Sequence, residues 1–349
     1  MAAPTVSVIV PAVRADEGFR RCLAHLRRLD PAATELVVAV DGGSEDTAAL
    51  ARDNGARVVV LAERRGPAAA RNAGARLARG DVLMFVDSDV TLRADAIARV
   101  VAAMAALPAC DAVIGSYDDA PEGANFLSQY KNLAHHFVHQ TSHEDACTFW
   151  SACGAVARDA FERAGGFDQR YRRASIEDIE LGSRLIAGGS RIRLVKSLQA
   201  THLKRWTVAS LLRTEIADRA IPWTRLILRT GHMPNDLNLR WSGRLAVMVS
   251  AMLAATLAIA VAYPAGLAVA AILAGALMIL DAPLARFFRA KRGTVFAARA
   301  MAWHWVHHLC CAVGFTAGVA LHAVERLRPA VTAAVATQAS PAASDRESK

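Results

Sequence analysis

The stretch "DVLMFVDSDVTL", residues 81–92, is apolar from Val82 to Val86 and then sets Asp87 and Asp89 either side of Ser88. An unbroken apolar run bounded by polar residues suits a strand buried on both faces. The two carboxylates at its end admit two readings. Asp and Ser readily leave a sheet and hydrogen-bond to their own backbone, which makes the triplet a turn. Carboxylates also hold hard divalent cations, which share them with substrate phosphates.

The flanking sequence sets the frame. Short β-branched runs at 5–12, 35–43, 56–62, 81–89 and 112–117 alternate with helix-like segments at 16–29, 44–55, 66–80 and 94–107. Such alternation predicts βαβ units, a mainly parallel sheet and helices on both of its faces. Ligands on these sheets bind outside the carboxyl ends of the strands, where Asp41 and the Asp87/Asp89 pair fall. From 118 to 208 the pattern is mixed, with helices expected through 125–140 and 158–166. It closes on "IEDIE" (176–180), which opens a helix, and a strand that leads to His202. Acidic residues in a first turn also favour the helix dipole, so Glu177 and Asp178 have a structural reading as well as a chemical one.

The chain has 349 residues, 54% of them apolar, and the apolar excess lies in the last third. Residues 209–242 read as an amphipathic segment at a membrane surface, and a packed helix pair would show the same pattern. The runs 245–263 and 265–280 carry no charge and are joined by Pro264, as in a hairpin of membrane helices. A third segment, 296–323, contains histidines and either spans or lies in the interface. Arg240, Arg244, Arg286, Arg289, Lys291 and Arg292 flank the hairpin, which predicts a multi-pass protein of the cell membrane with a cytoplasmic N-terminal domain. The net charge of +9 gathers around these apolar runs rather than on an aromatic-studded face, which argues against nucleic acid as a partner. Six cysteines without paired CxxC spacing fit reduced thiols, and the first residues show no secretory signal. The tail, 326–349, reads as disordered.

In order along the chain, "VSVIVPAV" with Pro11, "VAVDGGSEDT", "RGPAAARNAGARLARGDVLMFVDSDV", "FWSACGAVARDAFERAGGFD" and "IEDIELGSRLIAGGSRI" followed by "THLKRW" resemble the family 2 glycosyltransferases. The resemblance covers about residues 5–230. It implies a GT-A fold for residues 1–208 and inverting transfer from a nucleotide-diphosphate sugar; the apolar runs separately predict two or three transmembrane helices in 243–325. It further implies a Mg²⁺ or Mn²⁺ ion held by Asp89, with Asp87 nearer the ribose and His202 as an added ligand or diphosphate contact. Pro11, Asp41, Arg71 and Asp87 match the nucleotide-sugar pocket. Asp178 matches the general base, with Glu177 orienting the loop or binding acceptor. Lys204, Arg205 and Trp206 match in part a cluster that holds a glycan on the acceptor or diphosphate side. The family's second aspartate before Gly-Ser is replaced here by Gly42, which leaves the nucleotide base open.

A site beside the bilayer predicts a membrane-presented acceptor, a lipid or lipid-linked glycan. A hydroxyl acceptor needs a base, whereas a polyprenyl phosphate is already ionised and needs none. Three further readings compete. One is a zinc site from His135, His136, His139 and His143 with Cys147 and Cys153, since 135, 139 and 143 share a helix face. The others are a non-catalytic membrane scaffold and a nucleotidyltransferase, the latter opposed by the lack of a Gly-rich basic loop in "PAVRADEGF".

Overall fold

Apolar strands covered on both faces account for the centre of the fold. In the computed structural model, which describes residues 4–106 and 110–338, the strands are β1 (Val6–Ala12), β2 (Glu35–Asp41), β3 (Arg57–Leu61), β4 (Val82–Val86), β5 (Val90–Leu92), β6 (Cys110–Tyr117), β7 (Asp145–Ala146), β8 (Cys153–Ala157) and β9 (Arg191–His202). The helices are α1 (Glu17–Leu26), α2 (Glu45–Asp53), α3 (Pro67–Leu77), α4 (Ala96–Ala106), α5 (Phe126–Thr141), α6 (Arg158–Arg163), α7 (Glu177–Ala187), α8 (Val208–Arg213), α9 (Ile221–Thr230), α10 (Trp241–Ala260), α11 (Gly266–Leu280) and α12 (Ala282–Gln338). Successive side chains in β1, β2 and β4 point to opposite faces. Val8, Val10, Val38, Val40, Met84 and Val86 therefore join one core layer, while Ile9, Val37, Leu83 and Phe85 join the other.

The strands pair in the order β3-β2-β1-β4-β8-β6-β9-β5, with β7 beside β9. The sheet is mixed, as the GT-A reading implies, with four described pairings parallel and four antiparallel. The antiparallel pairings come from β8, which threads between β4 and β6 in the opposite sense, and from the short β5 and β7 beside β9. Neither β8 nor β5 is legible from periodicity, because "CGAVA" is made of small residues and β5 has only three.

Helix α7 sits hard against the segment that enters β8. A Cβ on Gly182 would lie 2.2 Å from the Phe149 backbone nitrogen, a separation that only glycine permits.

The C-terminal part is helical. Two helical stretches, Trp241–Ala260 and Ala282–Leu327, are long and apolar enough to cross a membrane, and α11 is shorter. Gly293, at φ 82°, breaks α12 near its start. The segment expected at a membrane surface, 209–242, contains α8, a seven-residue π-helix (Thr214–Ala220) and α9. This segment packs on α12. Gly314 faces Ala220 and Gly318 faces Thr224, so a Gly-x-x-x-Gly pair lets the backbones approach closely. The tail expected from 326 continues α12 to Gln338, and 339–349 lies outside the described residues.

Gly182→Ala is expected to destabilise the fold by about 3 kcal/mol through overpacking against backbone. The thermal unfolding midpoint of the full chain should fall by roughly 6–12 °C.

Candidate active site

Three strand ends and one helix start converge. β2 ends at Asp41, β4 leads into Asp87 and Asp89, β9 ends at His202, and α7 opens with Glu177 and Asp178. The three strands run in the same sense through the sheet, so these residues share its carboxyl edge.

Strand register makes the first contact. Val90 of β5 pairs with His202, and Leu203 N–H donates to the Asp89 carbonyl (2.8 Å). His202 Nε2 consequently lies 3.5 Å from Asp89 Oδ2. The imidazole stacks on Tyr117, with centroids 4.5 Å apart and planes within 6°. Burial works to raise the Asp89 carboxyl, but His202 and Lys204 outweigh it and hold it below the usual carboxylate range. The Asp89 side chain is still 41% exposed, open to a ligand from outside.

The second contact is a buried bridge. Arg71 reaches from α3, donating through Nη2 to Asp87 Oδ1 (2.6 Å) and through Nη1 to Glu177 Oε1 (2.8 Å). Its guanidinium lies 5.4 Å from the centre of the Phe167 ring. Burial opposes the Arg71 charge, yet Asp87, Glu177 and Asp178 raise its pKa above the ordinary arginine value. The other Glu177 oxygen accepts from Ser175 N–H (2.8 Å), so this carboxylate holds the approach to α7.

Asp178 is placed differently. Its Oδ2 accepts from Ser151 N–H (3.1 Å) and Ser151 Oγ (3.3 Å), and its Oδ1 from Ile179 N–H (2.8 Å). Burial first, then the neighbouring Glu177, push its carboxyl up to about 6 against the pull of Arg71. A carboxyl with that value is poised for proton transfer near neutral pH.

Several expected site residues have other partners. Asp41 is 4% exposed and accepts Arg65 N–H (2.7 Å) and Gly66 N–H (2.9 Å), bracing the loop before α3. That loop touches the far side of the site. Gly66 has φ 92°, and a Cβ there would lie 2.4 Å from the Arg172 carbonyl oxygen. Pro11 stands half-buried in β1 opposite Ala39. Arg71, expected on the nucleotide, has its guanidinium engaged by two carboxylates. Trp206, expected to face a glycan, is a correction: it is 6% exposed and packed among Leu127, Leu133 and Phe288. Its ring has no free face for a sugar. Lys204 and Arg205 are exposed, and Lys204 Nζ lies 4.0 Å over the Trp206 ring.

The zinc reading on α5 is also corrected. His136 Nδ1 bonds to the Tyr117 carbonyl (2.7 Å) and His139 Nδ1 to the Gly115 carbonyl (2.9 Å). Burial drives the His139 imidazole down to about 4. His135 packs on Tyr117 and Trp150, and His143 is exposed, so the four rings do not converge.

Three residues escaped sequence reasoning. Ser151 holds Asp178, and the partly exposed Trp150 lies beside it against Tyr117. Arg219, half-buried in the π-helix, makes no ion pair among the described residues, and its charge is felt at Asp178 and Tyr117. A one-turn widening of a helix has no sequence signature, so nothing in the chain announces that Arg219 turns inward.

Residues 7–165 match the model of "Glycosyl transferase family 2". An N-acetylglucosaminyltransferase of Bradyrhizobium sp. (strain ANU 289) is 33% identical over 108 residues, covering 29% of this chain and 71% of that protein. Validoxylamine A glucosyltransferase of Streptomyces hygroscopicus subsp. limoneus is 30% identical over 220 residues, 53% of this chain and 49% of that one. The chain spans about half the length of such longer curated relatives. Among solved structures, the mannosyltransferase PcManGT of Pyrobaculum calidifontis, in complex with GDP-Man and Mn²⁺, has the same fold. It superposes with a TM-score of 0.58 at 22% identity, over 90% of this chain and 88% of that one. The chain belongs to glycosyltransferase family 2.

Arg71→Met should leave Glu177 buried and uncompensated beside two other carboxylates, at a cost of about 3–5 kcal/mol. Arg71→Lys should restore only part of this, because a point charge cannot bridge both partners. Adding Glu177→Gln to Arg71→Met should cost less than the two single changes summed, as read in denaturation midpoints.

Proposed function

We propose that the chain transfers a sugar from a nucleotide diphosphate to an acceptor hydroxyl with inversion, assisted by a divalent metal. The observation that carries this reading is the presence, at one sheet edge, of two separate devices. One is the donor pair of the open Asp89 carboxylate and the largely covered His202 imidazole; the other is the Asp178 carboxyl raised to about 6.

The donor pair fits a metal by its chemistry. Asp89 offers carboxylate oxygens, His202 a ring nitrogen, and Asp87 the oxygen that Arg71 does not use. Carboxylate suits Mg²⁺ or Mn²⁺, and the imidazole tilts the set toward Mn²⁺. The relative PcManGT holds Mn²⁺ with GDP-Man. When bound, such an ion neutralises charge on a diphosphate leaving group. Arg219 would add a second positive charge from the opposite wall. Asp178 accepts the proton of the acceptor hydroxyl as the bond to the anomeric carbon forms. Ser151 fixes the carboxylate, and Trp150 offers a ring face for a sugar.

The catalytic unit is residues 1–208, and the helices that follow attach it to a membrane. Large apolar side chains exposed on α10 and α11 support this, including Met248 (61%), Ile259 (57%), Ile272 (72%) and Met278 (75%). A cleft of about 620 Å³ opens two residues before Glu177, lined by Arg170, Arg172, Arg173, Arg225 and Arg229 with Tyr171. Arg170 and Arg225 pair with Asp168 and Glu325, and the remaining Arg172, Arg173 and Arg229 suit a phosphate-bearing acceptor. An acceptor anchored by phosphate and attacked at a hydroxyl, as in a lipid-linked glycan, satisfies both features.

Purified full chain should be stabilised thermally by one sugar nucleotide from a panel, in the presence of Mn²⁺. Asp89→Ala should abolish the metal dependence, and no stabilisation by any donor would oppose the proposal. Asp178→Asn should lower kcat by about 10²–10⁴-fold while leaving the donor-induced thermal shift in place. In the wild type, kcat/KM should fall below pH about 6, because the protonated carboxyl cannot accept a proton. Wild-type turnover by Asp178→Asn would instead favour an acceptor that attacks through an ionised phosphate.

A further inference from the structure

Away from the sheet edge, polar side chains cluster where α11 ends and α12 has turned back. Asp281 caps the C-terminus of α11, and His304 and His308 lie one turn apart on a single face of α12. His308 Nε2 is 3.1 Å and 3.3 Å from the two Asp281 oxygens, and His304 Nε2 is 4.0 Å from Oδ1. One ligand atom from each residue lies within 4.8 Å of the other two. His308 is buried and the other two are largely covered, with exposures of 11% for Asp281, 13% for His304 and 5% for His308.

Two observations point to a cation at this place. The first is charge. Among the described residues no lysine or arginine pairs with Asp281, so a largely covered carboxylate has only imidazoles beside it. A buried carboxylate without a countercharge is costly. The second is orientation. Tyr130 of α5 bonds to His304 Nδ1 (2.8 Å), which fixes the ring with Nε2 turned toward Asp281. A partner on the far nitrogen is the arrangement that prepares a histidine for metal ligation.

We infer that Asp281, His304 and His308 form a transition-metal site, best suited to Zn²⁺, at the junction of the catalytic domain and the apolar helices. Two imidazoles and one carboxylate favour zinc over magnesium, and water can take the fourth position. The ion joins the end of α11 to α12, and Tyr130 ties that corner to α5. Its role is structural, distinct from the metal proposed at Asp89.

The test uses the full chain in detergent, stripped of metal and then reloaded with Zn²⁺ or Co²⁺ alone. Elemental analysis after desalting should give about one zinc per chain in the wild type and in Asp89→Ala. It should give none in Asp281→Asn or His308→Gln. Cobalt should produce the visible d–d absorption of a low-coordinate site in the wild type and in Asp89→Ala, and not in Asp281→Asn or His308→Gln. Chelation should lower the wild-type unfolding midpoint, zinc should restore it, and Asp281→Asn should respond to neither. Donor-induced stabilisation with Mn²⁺ in Asp281→Asn and His308→Gln reports that their catalytic domain has folded. If the wild type retains no more zinc or cobalt than Asp281→Asn, and chelation leaves its midpoint unchanged, the site does not exist.

Discussion

The active edge depends on one buried guanidinium. Arg71 stands between Asp87 and Glu177, two carboxylates brought together from β4 and α7 with Asp178 next in sequence. Without a positive charge among them, three acids at this depth would repel and be desolvated together. The rings of Phe85, Phe149, Phe161 and Phe167 pack as one group, and Phe167 lies under the guanidinium. Water cannot take Arg71's place there. The bridge therefore positions α7 on the sheet, and it fixes the environment in which Asp178 is raised and Asp87 keeps an oxygen free.

Much of this was legible from the chain. The first four strands and their helices follow from apolar runs and cap residues: Asp16 and Ser44 each accept from the third backbone N–H of the helix they open. The placement of Asp87 and Asp89 at the sheet's edge follows from strand direction, while Asp178 and His202 were named by the family resemblance. What the chain concealed is which groups are already occupied. A buried arginine and a solvent-facing one are the same letter, and only β8 and α7 together show that Arg71 is sealed in. Trp206 misled for a related reason. Its motif context pointed to a sugar, but Asn125 and Ser128 hold its backbone against α5 and turn its ring inward.

The catalytic sheet and the apolar helices are held together by more than proximity. Lys131 of α5, Glu215 of the π-helix and His307 of α12 form a connected set of ion pairs. Lys291 and Arg292, in the short first limb of α12, pair with Asp119 and Gln129. Arg219 belongs to the same π-helix as Glu215, so the segment that reaches into the active edge is anchored on the helical side. Sequence reading saw an amphipathic stretch there; close contact through Gly314 and Gly318 explains why its apolar face is covered by protein.

Strand β9 spans twelve residues, pairing with β6 from Arg191 to Leu194 and again, past a bulge, at Gln199 and Ala200, and with β5 at its end. Because side chains alternate across a sheet, a single-residue insertion or deletion between Leu198 and His202 would invert the imidazole to the opposite face. It would also slide the chain past Asp89. The length of this segment is thus a fixed dimension of the molecule. Among relatives of this chain, variation in length belongs in the connections, and the interval from β9's bulge to His202 should be invariant.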